Sequence, residues 1–205
     1  TYGYDSQSRL GTIQNPYAEL TTYSYDALDR TFRQDNANGT YTTYDYDAAG
    51  RLTATANKKA DGSTISIFTY TYDAVGNPTA LTEANGDLVT WTYDSVYRLT
   101  QEQRGGASAY NIGYTYDGAG NRLTKTSASV VTTYTYDAGD KMLRFEDNTG
   151  LTTLTYDLNG NQVTKTTPAM AMTTFSYNYE NKMTGVTFSD SSLNTFVYDG
   201  EGKRL

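Results

Sequence analysis

The chain has 205 residues, among them 21 tyrosines, eighteen glycines and three prolines, and a formal net charge of −7. It contains no cysteine and no histidine, which excludes disulfides, thiolate nucleophiles, the usual zinc sites and Ser-His-Asp triads. The acidic balance argues against nucleic-acid partners and anionic membrane surfaces, which both need a positive footprint; no stretch reads as a membrane span or a signal peptide.

Hydrophobic residues make up only 37% of the chain. A tyrosine needs water or a partner for its hydroxyl, so this composition predicts half-buried amphipathic surfaces in place of one thick apolar core. Abundant threonine with few prolines favours strands joined by tight turns.

Along the chain the same dipeptide returns. It stands at Tyr4-Asp5, Tyr25-Asp26, Tyr46-Asp47, Tyr72-Asp73, Tyr93-Asp94, Tyr116-Asp117, Tyr136-Asp137, Tyr156-Asp157 and Tyr198-Asp199, with Tyr177-Asn178 as a variant. Successive spacings are 21, 21, 26, 21, 23, 20, 20, 21 and 21. This composition would give about two such pairs by chance, at no fixed period, so the chain is a tandem array.

Each copy predicts a strand, a turn and a return strand. Two residues before each tyrosine stands another large side chain, from Tyr2 and Tyr23 through Trp91 and Tyr114 to Phe175 and Phe196. A small residue, mostly Thr or Ser, lies between, and large–small–large alternation marks a strand with one packed face. Four residues after the tyrosine comes Gly50, Gly76, Gly120, Gly160 or Gly202, or else Ser8, Asp29, Tyr97, Asp140 or Asn181. A type I turn opened by Asp and closed by a left-handed residue accounts for this spacing. Tyr97 suits such a position poorly, and local rearrangement is expected there.

Return strands then begin at Arg51, Arg98, Arg122 and Lys141. The copies at Tyr116, Tyr156 and Tyr198 read as carrying one extra residue before that strand, the signature of a bulge at the turn exit. A second turn follows at Asn38-Gly39, Asp61-Gly62, Asn85-Gly86, Gly105-Gly106 or Thr149-Gly150. The longer repeats place "NKKADGST" (57–64) and "RGGASA" (104–109) opposite the Tyr-Asp turn, so length variation is assigned to that far loop. On this reading, Gly120→Val costs more stability than Gly106→Val.

As a site, an adjacent phenol and carboxylate suggests acid–base chemistry. Ten equivalent dyads fit a structural part better, with Tyr packed on the next hairpin and Asp closing the turn. The basic residues Arg9, Arg30, Arg51, Arg98, Arg122, Lys141, Lys182 and Arg204 are expected to stack on tyrosines or pair with neighbouring aspartates. No catalytic, cofactor or metal residue is assigned. The "DNANG" and "DNTG" stretches lack the ligand alternation of a calcium loop and read as ordinary turns. Residues 1–205 are read as a single array of about ten repeats of about 21 residues, truncated at both ends.

The unit YDxxGRL or YDxxGNRL, in ten copies from Tyr2 to Leu205, resembles the RHS/YD-repeat family of bacterial rearrangement-hotspot proteins, wall-associated proteins, Tc-toxin cocoon components and teneurins. The resemblance implies an all-β fold of tandem antiparallel hairpins forming a curved, spiralling strip or partial shell. It implies a non-enzymatic structural scaffold that encapsulates or displays a toxin or other C-terminal cargo, with no cofactor and a secreted or cell-surface location. Its partners would be the remainder of the shell and its cargo, or another copy through open sheet edges. Cargo-releasing members end in a DPxG-type segment; this sequence shows none, so releasing activity is not carried over. The alternative is an extracellular module that binds glycan or protein through its aromatic face or variable loops.

Overall fold

The structure, a computed structural model, describes residues 1–205. It is all-β, and its backbone falls into two compact units, Thr1–Tyr110 and Asn111–Leu205. The first holds β1 (Tyr2–Tyr4), β2 (Leu10–Gln14), β3 (Leu20–Tyr25), β4 (Thr31–Asp35), β5 (Tyr41–Tyr46), β6 (Leu52–Lys58), β7 (Thr64–Tyr72), β8 (Pro78–Glu83), β9 (Leu88–Tyr93) and β10 (Leu99–Arg104). β11 (Tyr110–Tyr116) leads into the second, followed by β12 (Arg122–Ser127), β13 (Val130–Tyr136), β14 (Met142–Asp147), β15 (Gly150–Tyr156), β16 (Gln162–Thr166), β17 (Met172–Tyr177), β18 (Met183–Thr187) and β19 (Leu193–Thr195).

Within each unit every strand pairs antiparallel with the next, a plain meander. A meander turns alternately at its two ends, so in each unit the Tyr-Asp turns share one edge and the other turns share the opposite edge. The tenth Tyr-Asp turn closes on a single bridge, Tyr198 to Arg204.

The alternation read from the sequence is the alternation of burial: β13 switches between half-buried and exposed at each residue, with Tyr134 and Tyr136 on the covered side. Fully covered side chains are few, namely Ala56 at 6%, Val89 at 4% and Thr152 at 4% exposure. Stability therefore comes from ladder hydrogen bonds and half-buried rings.

Three local expectations are corrected. The bulge is not confined to "GN" copies. At every Tyr-Asp turn the tyrosine faces the residue six places on, as in Tyr25–Thr31, Tyr46–Leu52 and Tyr116–Arg122, and at the first nine the register shifts at that point. There is no extra residue: the place held by Arg or Lys in most copies is taken by Asn121 and Asn161, and in the copy at Tyr198 it is simply Lys203. Tyr97 causes no rearrangement either. It adopts φ 66° and keeps the turn, with Tyr97 N–H donating to Asp94 O at 3.0 Å. The 26-residue repeat spends its added length on strand: Asn57 and Lys58 end β6, Thr64 opens β7, and the turn is only residues 59–63.

Candidate functional site

The repeated Tyr-Asp turn is the most ordered chemical feature of the chain, and its geometry is nearly constant. Asp5 N–H donates to Arg9 O at 2.9 Å, and Ser8 N–H donates to Asp5 O at 3.0 Å. The Asp5 carboxylate accepts backbone N–H groups of Gln7 and Arg9, both at 2.9 Å, and Arg9 Nε at 2.7 Å. Asp26, Asp47 and Asp94 repeat this pattern with Arg30, Arg51 and Arg98. A type I turn leaves N–H groups pointing inward, and a carboxylate at its first position satisfies them. Asn178 does the same with its amide oxygen, accepting from Glu180 and Lys182 N–H groups, so the signature tolerates that exchange.

Where the sequence reads "GN", the asparagine amide replaces the guanidinium. Asn77, Asn121 and Asn161 donate from Nδ2 to Asp73, Asp117 and Asp157 at 2.9, 3.0 and 2.9 Å. Asn121 also donates to Asp140 of the next turn at 2.7 Å, and Asn161 to Asn181 at 2.9 Å. The closing position is left-handed in all ten turns, including Gly50, Gly76, Gly120, Gly160 and Gly202.

The tyrosine works between repeats. Tyr25 Oη donates to Leu10 O at 2.7 Å, Tyr46 to Thr31 O at 2.8 Å, Tyr72 to Leu52 O at 2.6 Å and Tyr93 to Pro78 O at 2.8 Å. In the second unit Tyr136, Tyr156, Tyr177 and Tyr198 donate to the carbonyls of Arg122, Met142, Gln162 and Met183 at 3.0, 2.7, 3.0 and 2.8 Å. The acceptor is always the residue opposite the bulge of the preceding hairpin, a staple that sequence reading did not find. The same ring receives the preceding repeat's cation: Arg9 lies 4.5 Å from the Tyr25 centroid, Arg30 4.5 Å from Tyr46 and Arg51 4.9 Å from Tyr72. Lys141 over Tyr156 and Lys182 over Tyr198 are longer, at 5.8 and 5.7 Å.

Electrostatically the phenol and carboxylate are driven apart. Backbone N–H donation from Arg9, Arg51, Arg98 and Lys141 holds Asp5, Asp47, Asp94 and Asp137 below the ordinary carboxylate range. For Asp26 the Arg30 guanidinium comes first, and for Asp117 and Asp157 the amides of Asn121 and Asn161. Burial raises Tyr46, Tyr72, Tyr93, Tyr136, Tyr156 and Tyr177 above the usual phenol value. A general acid or base works best near the operating pH, and these shifts move both groups away from neutrality.

The family model of the teneurin YD-shell matches residues 1–101. The ten Tyr-Asp turns carry the same repeat through the remainder of the chain. Over residues 1–101 the chain is similar to YD-repeat shell proteins. No curated protein sequence matches it. Among solved structures, one of TcdB2-TccC3-TEV shares the fold of this YD-repeat chain at TM-score 0.75 and 16% identity, covering 100% of it and 12% of the larger protein. A TcdB2-TccC3 structure aligns at TM-score 0.66 and 17% identity, over 91% of this chain and 14% of that one. A Photorhabdus luminescens Tc holotoxin pore with a substituted TccC3 aligns at 0.56 and 16%, over 99% and 13%. The YD-repeat chain thus spans about an eighth of the length of these relatives.

Proposed function

We propose that this YD-repeat chain is a non-enzymatic stretch of an RHS-type shell wall, whose task is to enclose or display a cargo carried by the same assembly. The observation that carries this reading is the staple: the groups that would form a Tyr-Asp dyad are committed to holding one hairpin to the next. Shell relatives of Tc type support a wall function, and a secreted or cell-surface location goes with it. The test is protease protection of the natural protein that contains these repeats, with its downstream segment followed by mass spectrometry. Protection that disappears when Tyr46, Tyr72 and Tyr93 are changed together to Phe is expected. A downstream segment digested equally fast with and without intact staples removes the enclosure role.

A second reading, glycan binding, is favoured by one cleft on the turn edge of the second unit. It measures about 440 Å³ and is lined by Asp157, Asn159, Asn161, Tyr177, Asn178, Tyr179 and Asn181, with Tyr179 fully exposed. Amides and an exposed ring suit sugar hydroxyls and a sugar face. Binding on a glycan array that is lost in Tyr179→Ala is the expected result if this reading holds, and a blank array disposes of it.

A further inference from the structure

Arg122 breaks the pattern set by the other cations. At ordinary turns the residue five places after the tyrosine is basic and closes on its own aspartate, as in the pairs Arg9–Asp5, Arg30–Asp26, Arg51–Asp47 and Arg98–Asp94 at 2.6–2.7 Å. In this repeat Asn121 holds that place and takes Asp117. Arg122 is pushed one residue on, to the position facing Tyr116 across the bulge. Its side chain therefore rises from the aromatic face and forms no salt bridge. The guanidinium carbon sits 4.5 Å from the Tyr134 centroid and 5.8 Å from that of Tyr114, and Nε is buried with no hydrogen-bond acceptor.

The surroundings add charge of the same sign. Lys125 faces Tyr114 on one side and Thr132 on the other, which places it on the same face of β12 as Arg122. It has no ion-pair or hydrogen-bond partner. Strand register along β11–β18 puts only Arg122, Lys125, Lys165 and, at a hairpin end, Asp147 on this face as charged groups. Asp147 is turned onto Thr149 of its own turn. A cation that is half removed from water and lacks a counter-charge is costly unless something supplies one. Two rings at 4.5 and 5.8 Å from the guanidinium carbon offset part of that cost. A guanidinium fork takes two oxygens of a planar anion.

We infer that Arg122, walled by Tyr114 and Tyr134 and assisted by Lys125, is an oxyanion-binding site on the aromatic face of the second unit, and that its ligand is a carboxylate side chain of an acidic polypeptide segment. The planar fork and the apolar walls favour a carboxylate on a chain over a compact hydrated ion. The acidic surface of the whole molecule does not forbid this. At physiological ionic strength charges are screened over about 8 Å, so the local field of two cations governs.

The test uses the full chain and a fluorescein-labelled hexaglutamate peptide at ~0.15 M salt, read by anisotropy and by ¹⁵N NMR of the arginine Nε–H groups. The expected result is saturable binding, a shift of the Arg122 Nε–H signal and of the Tyr134 ring, and a loss of affinity of about tenfold in Arg122→Gln. That variant recreates the arrangement already present one face position from Lys165, where Gln162 faces Tyr156. Arg122→Lys, which keeps charge without the fork, is expected to lose most of the affinity, and Lys165→Gln none. Inorganic phosphate that displaces the peptide with tighter binding reassigns the ligand and overturns the carboxylate assignment. Equal losses in Arg122→Gln and Lys165→Gln reduce the effect to diffuse attraction and overturn the site. The NMR map on the unaltered chain stands without any variant: peptide binding that leaves Arg122 and Tyr134 unmoved also overturns it.

Discussion

At the residue scale the turn-closing position carries the clearest energetic statement. Tyr97 holds φ 66° where half of the turns place glycine, and a side chain with Cβ pays about 1–2 kcal/mol for the left-handed region. Tyr97 is 58% exposed, so little packing offsets the strain. Tyr97→Gly is expected to stabilise the chain by about 1 kcal/mol in urea unfolding; an unchanged or lower midpoint counts against strain at this site. For Gly120 and Gly106 the structure leads to an expectation opposite to the one read from the sequence. Both glycines are left-handed, at φ 98° and 83°. A Cβ at Gly120 meets nothing within 4 Å, whereas one at Gly106 lands 1.9 Å from Asp87 Oδ1, and Asp87 is held by Arg104 at 3.1 Å. Gly106→Val is therefore expected to cost more than Gly120→Val, measured as the difference in unfolding midpoint. Sequence marked Gly120 as a turn-closing residue and Gly105-Gly106 as a turn signal in a variable loop; it did not show that this loop folds back against an ion pair.

At the element scale the unit is a hairpin with two kinds of fastening. The carboxylate fastens the turn to itself, and the phenol fastens the hairpin to its predecessor. Tyr156→Phe removes the 2.7 Å bond to Met142 O while keeping the ring under Lys141, and a loss of about 1 kcal/mol is expected. At Asp26 the order of damage is expected to be Ala greater than Asn. Asn keeps an oxygen for the Leu28 and Arg30 N–H groups, as Asn178 does in its own turn. Thermal melts of the two variants check the order, and Asn as harmful as Ala would show that the charge matters more than the acceptor. The turn was legible because Asp and Gly at fixed offsets have local causes. The staple was not, since its acceptor is a backbone carbonyl about fifteen residues away, which no side-chain identity marks. For the same reason "GN" read as an insertion, although a change of partner at constant spacing explains it.

At the scale of the whole molecule, stability is expected to be close to a sum over neighbouring hairpins, and its pH range follows from the two fastenings. The turn aspartates have folded-state pKa values below the unfolded value of about 3.9. They bind fewer protons when folded, so their contribution is present above that value and is lost as pH falls through the lower folded value. The half-buried tyrosines have folded-state values above about 10. Their contribution is full below pH ~10 and is lost as pH rises through the higher folded value. Denaturant midpoints are expected to form a plateau between the two limits. The alkaline loss should coincide with tyrosinate absorbance, and ionisation well before unfolding would place the phenols outside the staples.

By itself the sequence determined the all-β class, the recurring hairpin and the residues that close its Tyr-Asp turns. These follow from period, alternation and turn chemistry, which act over a few neighbouring residues. Tertiary structure alone decided which carbonyl each tyrosine reaches, that the long repeat lengthens its strands, that Tyr97 bears its strain in place, and that Arg122 stands without a carboxylate on an aromatic face. Each of these depends on register between strands, and register is set by many weak cross-strand contacts together.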